Sequence, residues 1–207
     1  MKLFLDSSKV AEIKRWLPVI DGITTNPSIL LKDGGNIDDV FGALKGKPIS
    51  VEAVGDFETD ARKYSGTYPD AVIKIPLLKP GGGDNLSLIS RLSADGLKIN
   101  CTALFSLGQV ILAAKAGSRY VSLFAGRIDD EGGEWTAVLS DCMEFLHHYD
   151  NGVELIVGSI RTVGMVKDCL RYGADIATIP PTVLEKMLLH NFSLKTVIQF
   201  EEDAKKL

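Results

Sequence analysis

Short apolar runs recur along the chain about every 25 residues, and each is followed by a segment that reads as a helix, the one reaching about Lys45 being polar and poorly periodic. The runs cover residues 2–5, 21–25, 49–54, 71–76, 97–102, 120–124, 153–157 and 174–179, and each reads as a strand. After them, Val10, Ile13 and Leu17 lie on one helix face, as do Leu86, Ile89 and Leu92, and Val163, Val166 and Leu170. Starts are signalled by Ser7 or Ser8, by Asn26 with Pro27 behind it, and by Asp56 for a helix reaching Tyr68. Ser106 with Gln109, and Thr182 with Glu185, read as capping boxes. Pro18, Gly34-Gly35, Gly96, Gly117 and Gly173 close helices. Residues 127–133 lead into a long helix over 134–148, and a last helix runs over about 193–206.

Eight strands, each followed by a helix, require a parallel sheet, because parallel strands need crossovers. Eight such units close into a (β/α)8 barrel, a TIM barrel with an additional C-terminal helix. An open doubly wound sheet competes. It is disfavoured because Asp6-Ser7-Ser8 follows the first strand where a Gly-rich nucleotide fingerprint would stand. No linker-like stretch divides the chain, so residues 1–207 read as one barrel domain.

Composition narrows the function classes. The 207 residues are 45% apolar and 24% charged, as in ordinary globular domains. A net charge of −4 carries no footprint for nucleic acid. Cys101, Cys142 and Cys169 are isolated and odd in number, which favours reduced thiols in a cytoplasmic protein. His147 and His148 are adjacent and stand without other ligands, so no metal is expected. Neither a signal-peptide pattern nor an apolar span of about 20 residues is present, so neither secretion nor a membrane partner is expected.

The candidate chemistry lies in the fourth strand, Ala71-Val72-Ile73-Lys74-Ile75-Pro76. A buried parallel strand is normally apolar throughout, so the lysine is anomalous. Burial disfavours an ammonium, and a neutral lysine can form a Schiff base with a carbonyl. In a barrel the active site is built at the C-terminal strand ends. Those ends read Asp6; Thr24 and Asn26; Glu52; Lys74; Thr102; Phe124 and Arg127; Ser159 and Arg161. Taken singly, Asp6, Asn26 and Ser159 would be helix caps, Glu52 an ion partner of Lys74, Thr102 a backbone ligand and Arg161 a surface residue. Convergence on one mouth favours function. In this set Lys74 attacks a ketone, Glu52 and Thr102 serve the protons and water of imine formation, and Asp6 moves a hydroxyl proton as a carbon–carbon bond breaks. Arg127 and Arg161 present forked donors suited to a phosphate, with Ser159 beside them.

The motifs Phe4-Leu5-Asp6, Gly22-Ile23-Thr24-Thr25-Asn26-Pro27-Ser28, Val72-Ile73-Lys74-Ile75-Pro76, Gly126-Arg127-Ile128-Asp129-Asp130, Ser159-Ile160-Arg161 and 173–178 span nearly the whole chain. Together they resemble the small single-domain transaldolases, a branch that includes fructose-6-phosphate aldolase. The resemblance implies a (β/α)8 barrel and Schiff-base chemistry at Lys74 without a cofactor. It implies Asp6 as proton shuttle, Glu52 and Thr102 on the catalytic water, and Thr24 and Asn26 on substrate hydroxyls. Arg127, Ser159 and Arg161 are implied to bind a sugar phosphate. The implied reaction moves a dihydroxyacetone unit between phosphorylated sugars, as in the non-oxidative pentose phosphate pathway. Homo-oligomers, pentamers or decamers, are implied as well.

Two positions separate the branches. The aldolase branch carries glutamine where this chain has Glu52 and tyrosine where it has Phe124. Both choices resemble transaldolase. A tyrosine hydroxyl can position water that protonates the bound enamine, whereas phenylalanine cannot. Alternatives are an aldolase that releases free dihydroxyacetone and a non-catalytic phosphosugar-binding barrel. Departures from the family pattern are the Gly-rich loop 80–83, Thr162-Val163-Gly164 without the usual proline, and a slightly short C-terminus.

Overall fold

The computed structural model describes residues 1–149 and 152–207. The strands are β1 (Lys2–Asp6), β2 (Gly22–Thr24), β3 (Ile49–Glu52), β4 (Ala71–Pro76), β5 (Ile99–Leu104), β6 (Tyr120–Phe124), β7 (Glu154–Gly158) and β8 (Ile176–Ile179). Each pairs in parallel with the next, and β1 pairs with β8 to close the barrel. The first helices are α1 (Val10–Trp16), α2 (Pro27–Asp33), α3 (Ile37–Ala43), α4 (Phe57–Thr67) and α5 (Leu86–Ala94). They continue with α6 (Leu107–Lys115), α7 (Ala125–Asp130), α8 (Trp135–Tyr149), α9 (Val163–Arg171), α10 (Pro181–Leu188) and α11 (Asn191–Ala204).

Strand side chains alternate between two faces. Here the alternation is one of odd and even numbers. Leu5, Ile23, Val51, Ile73, Cys101, Val121 and Val157 belong to the main core, between sheet and helices. Phe4, Val72, Tyr120, Ile156 and Ile176 form a separate apolar cluster, the plug inside the barrel. Gly22 is required beside that plug, since a Cβ there would lie 2.6 Å from the Phe4 ring. One step further along the strands the interior turns polar. Ser122 Oγ donates to Asn100 Oδ1 at 2.7 Å, and Asn100 Nδ2 donates to Ser50 Oγ at 3.2 Å. Asn100 is paired directly with Lys74 across β4 and β5.

Several local expectations are corrected. The N-cap of α1 is Lys9, without a side-chain bond. Ser7 Oγ and the Ser8 amide donate instead to Asp33 at 2.8 and 2.9 Å, because an ionised carboxylate is the stronger acceptor. Trp16, not Leu17, completes the buried face of α1. In α10, Pro181 occupies the first turn and fixes its start ahead of Thr182, while Glu185 pairs with Arg15. The Ser106 cap holds, its hydroxyl accepting from the Gln109 amide at 3.4 Å, while the Gln109 side chain accepts from the Phe105 amide at 2.8 Å. The connection read over residues 127–133 is helical in its first part, where α7 (Ala125–Asp130) starts directly on the end of β6. Gly96 does end α5, with φ of 89° and the Leu97 amide returning to Leu92.

The Gly-rich loop is a tight hairpin in which Leu78 bridges Asp84 and the Lys79 amide donates to Gly83 at 3.1 Å. No residue of α11 is buried, and Phe192, Leu194, Val197, Ile198 and Phe200 are exposed on it. Among the described residues no helix is long and apolar enough to cross a membrane.

Candidate active site

Six of the strands carry an expected residue at an even-numbered position in their C-terminal halves: Asp6, Thr24, Glu52, Lys74, Thr102 and Phe124. Ser159 follows β7, Asn26 caps α2, and Arg127 lies in α7. A cavity of about 220 Å3 collects seven of the expected residues: Asp6, Thr24, Asn26, Lys74, Phe124, Arg127 and Ser159.

Lys74 is 4% exposed, and its ammonium donates to the Thr25 carbonyl at 2.9 Å. Glu52 Oε2 lies 3.7 Å from the same nitrogen. Glu52 itself faces a neighbouring groove of about 690 Å3, shared with Lys79, Asn85 and Arg91. One nitrogen thus meets a carbonyl, a carboxylate and the cavity.

Asp6 Oδ1 accepts from Thr24 Oγ1 at 2.6 Å, and that hydroxyl also meets Thr178 Oγ1. Burial raises the Asp6 pKa above its ordinary value, while the Thr24 hydroxyl and the Lys74 charge pull it partly back. A carboxyl so placed holds its proton into a higher pH range than a free aspartate, which suits proton exchange.

Asn26 serves two ends at once. Its Oδ1 accepts from the Ile29 amide at 2.9 Å, capping α2, and its amide hydrogens remain for the cavity. Phe124 presents a ring, edge-on to Phe105 with centroids 5.8 Å apart, and Arg127 lies over its face at 5.8 Å.

Ser159 and Ala103 are the described non-glycine residues with left-handed backbone, at φ of 60° and 59°. Both sit at strand ends around the mouth, where such strain concentrates in functional sites. Gly126 makes the Ser159 turn fit, since a Cβ there would lie 2.1 Å from the Ser159 carbonyl oxygen. Ala103 lies where the β5–β6 register shifts. Its neighbour Thr102 is 2% exposed, and the Thr102 hydroxyl has no hydrogen-bond partner among the described residues.

Thr102 and Arg161 stand outside the cavity wall. The Arg161 guanidinium is held by both carboxylate oxygens of Asp130. Sequence reasoning missed Ser28, Ile29, Lys32, Ser122, Gly158 and Thr178, which complete the wall. Period-two counting from Phe124 and Ile176 would have found Ser122 and Thr178. Lys32 carried no such signal. The three cysteines are buried, and burial pushes each thiol up to about 12, so none is a thiolate.

Comparison with known proteins finds relatives that match the chain over nearly its whole length. A probable transaldolase of Phenylobacterium zucineum is 39% identical over 98% of this chain and 96% of its own length. A probable transaldolase of Bartonella henselae is 36% identical over 100% of this chain and 97% of its own. The fold also resembles that of the N-acetylmannosamine-6-phosphate 2-epimerase from Clostridium perfringens, with a TM-score of 0.61. That likeness covers 88% of this chain and 87% of the other at 15% identity, so it speaks to the barrel alone. Residues 3–207 match the family described as transaldolase/fructose-6-phosphate aldolase, and the chain belongs to that family.

Proposed function

We propose that the protein is a transaldolase that carries a dihydroxyacetone unit on Lys74, from a ketose phosphate such as fructose 6-phosphate or sedoheptulose 7-phosphate to an aldose phosphate such as erythrose 4-phosphate or glyceraldehyde 3-phosphate. The observation that carries the reading is the buried Lys74 amine, open to a cavity it shares with Asp6 and flanked by Glu52. In its unprotonated form Lys74 attacks the ketose carbonyl, and loss of water from the carbinolamine gives the imine. Glu52 exchanges the protons of that step, and the unpartnered Thr102 hydroxyl holds the water. Asp6 takes the proton of the hydroxyl beyond the bond that breaks. The electrons of the carbon–carbon bond pass into the protonated imine, an aldehyde leaves, and an enamine stays on Lys74. The acceptor aldehyde then reacts in the reverse sense, with Asp6 returning its proton. Thr24 and Asn26 orient substrate hydroxyls, and Arg127 with Ser159 receives the phosphate.

The aldolase reading differs only in the fate of the enamine. Phe124 favours transfer, because its ring offers no hydroxyl to hold a protonating water. The reaction fits the non-oxidative pentose phosphate pathway, and the buried unpaired thiols suit a reducing cytoplasm. Assembly is part of the same reading, with the exposed apolar side chains of α11 covered by a second copy. Sedimentation of a chain ending before Asn191 checks this, and an unchanged number of subunits would remove it.

Borohydride trapping with fructose 6-phosphate, followed by peptide mass spectrometry, tests the chemistry. A reduced three-carbon adduct on Lys74 that disappears when erythrose 4-phosphate is added is the expected result. An adduct on no lysine would return the barrel to a phosphosugar-binding role. Lys74→Ala should lose turnover, and unchanged turnover would sink the assignment of Lys74.

A further inference from the structure

Lys32 has no role in the reading above, yet it lines the same cavity as Asp6, Lys74 and Arg127. It projects from the last turn of α2 and is exposed, with no ion pair or hydrogen bond among the described residues. The adjacent carboxylate does not neutralise it. Asp33 is engaged by Ser7 Oγ, the Ser8 amide and, at 3.9 Å, the Lys9 ammonium. Its charge is felt instead at Asp6.

The helix that carries Lys32 is clamped at both ends. Asn26 caps its start. Gly34 closes its end in the left-handed conformation, and Gly35 packs so tightly on Ser8 that a Cβ would lie 2.3 Å from the Ser8 hydroxyl. The base of the Lys32 side chain is therefore fixed relative to β1, and its four-carbon stem sweeps the mouth from a rigid support.

Charge balance then assigns it a ligand. A phosphate monoester carries close to two negative charges at neutral pH. Arg161 is committed to Asp130, so Arg127 alone would leave that charge half matched. Among the described residues the other unpaired cation on the wall is Lys32, since the Lys74 nitrogen, bonded to the substrate carbonyl carbon in the imine, cannot turn to the phosphate. We propose that Lys32 is a substrate-binding residue that grips the phosphate together with Arg127 and sets the preference for phosphorylated over unphosphorylated sugars. This rests on the phosphosugar reading above.

The test compares the wild type with Lys32→Gln and Lys32→Arg, using fructose 6-phosphate and fructose as donors and inorganic phosphate as competitor. Loss of one charge-assisted contact predicts about a tenfold fall in the preference for fructose 6-phosphate in Lys32→Gln, expressed in KM rather than kcat. The inhibition constant of inorganic phosphate should rise by a similar factor, and Lys32→Arg should restore both. Preference and inhibition constant within about twofold of wild type would overturn the proposal. So would a parallel fall in kcat with both sugars, which marks a merely structural effect of α2. A wild type that does not prefer fructose 6-phosphate would instead remove the phosphosugar reading, and this inference with it.

Discussion

The Arg161 guanidinium and the Asp130 carboxylate form a two-pronged ion pair at the rim of the barrel. The pair lowers the Asp130 pKa through those hydrogen bonds and raises that of Arg161. Both groups are exposed, so solvent screens the attraction and a phosphate can compete for it. For Arg161 to serve a phosphate as the family resemblance implies, it must first leave Asp130. Asp130→Asn should therefore lower KM for fructose 6-phosphate, by about threefold. A higher KM would show instead that Asp130 presents Arg161 to the substrate.

Asp6 supplies a pH prediction. Its pKa is raised chiefly by burial, so the acid limb of kcat/KM should lie above the ordinary aspartate range. The Thr24 hydroxyl donates to the ionised carboxylate and opposes that rise. Thr24→Val should move the acid limb to still higher pH. A limb that stays in place or moves down would separate it from Asp6.

The same shift has a stability consequence. The folded chain holds the Asp6 proton more tightly than the unfolded chain, so stability falls as pH rises from the unfolded to the folded pKa. Ionised Asp6 is thus a cost at neutral pH. Asp6→Asn, which can still accept from Thr24, should melt higher than wild type at pH 7. Its advantage should shrink as the pH falls through the folded pKa of Asp6. Equal melting temperatures across that range would contradict the burial argument.

Gly126 concerns geometry rather than charge. A methyl at this position meets the Ser159 carbonyl oxygen, the Ser159 hydroxyl and the Arg161 side chain. Gly126→Ala should force the left-handed Ser159 turn away from α7. The expected cost is about 1–3 kcal/mol in denaturant unfolding, as for other overpacked sites. KM for phosphorylated sugars should rise with it. Full stability with normal KM would mean that the turn yields freely.

The barrel was legible because its signal repeats: eight apolar runs, each with its own helix, leave few closures. Lys74 was legible because a charge in such a run is conspicuous. The errors arose where long-range partners outcompeted local ones. Ser7 and Ser8 read as caps, but Asp33, 25 residues along from Ser8, takes them. A partner can be equally distant at the candidate site, where Asp130, 31 residues earlier in the chain, pairs with Arg161. α7 starts straight from Phe124 without a side-chain cap, so nothing local announced it. Lys32 sits at the end of a short helix with no buried residue, and only the fold brings it beside Asp6.

Phe124 carries the last prediction, which concerns partition of the enamine between transfer and release. Its ring is half-buried in the cavity wall, packed against Phe105 and beneath Arg127. Nothing on that ring can hold water, so in the proposed mechanism an enamine on Lys74 would wait for an acceptor aldehyde. Phe124→Tyr adds one hydroxyl at the ring edge with little change in packing, and a tyrosine hydroxyl both donates and accepts. It should place a water for protonation of the enamine and so raise release of free dihydroxyacetone in the absence of acceptor. Gain of even one well-placed hydrogen bond predicts an increase of about tenfold. The measurement is dihydroxyacetone formed from fructose 6-phosphate alone, set against transfer to erythrose 4-phosphate. An unchanged ratio would show that water reaches the enamine from elsewhere, with the groove beside Glu52 as the remaining route.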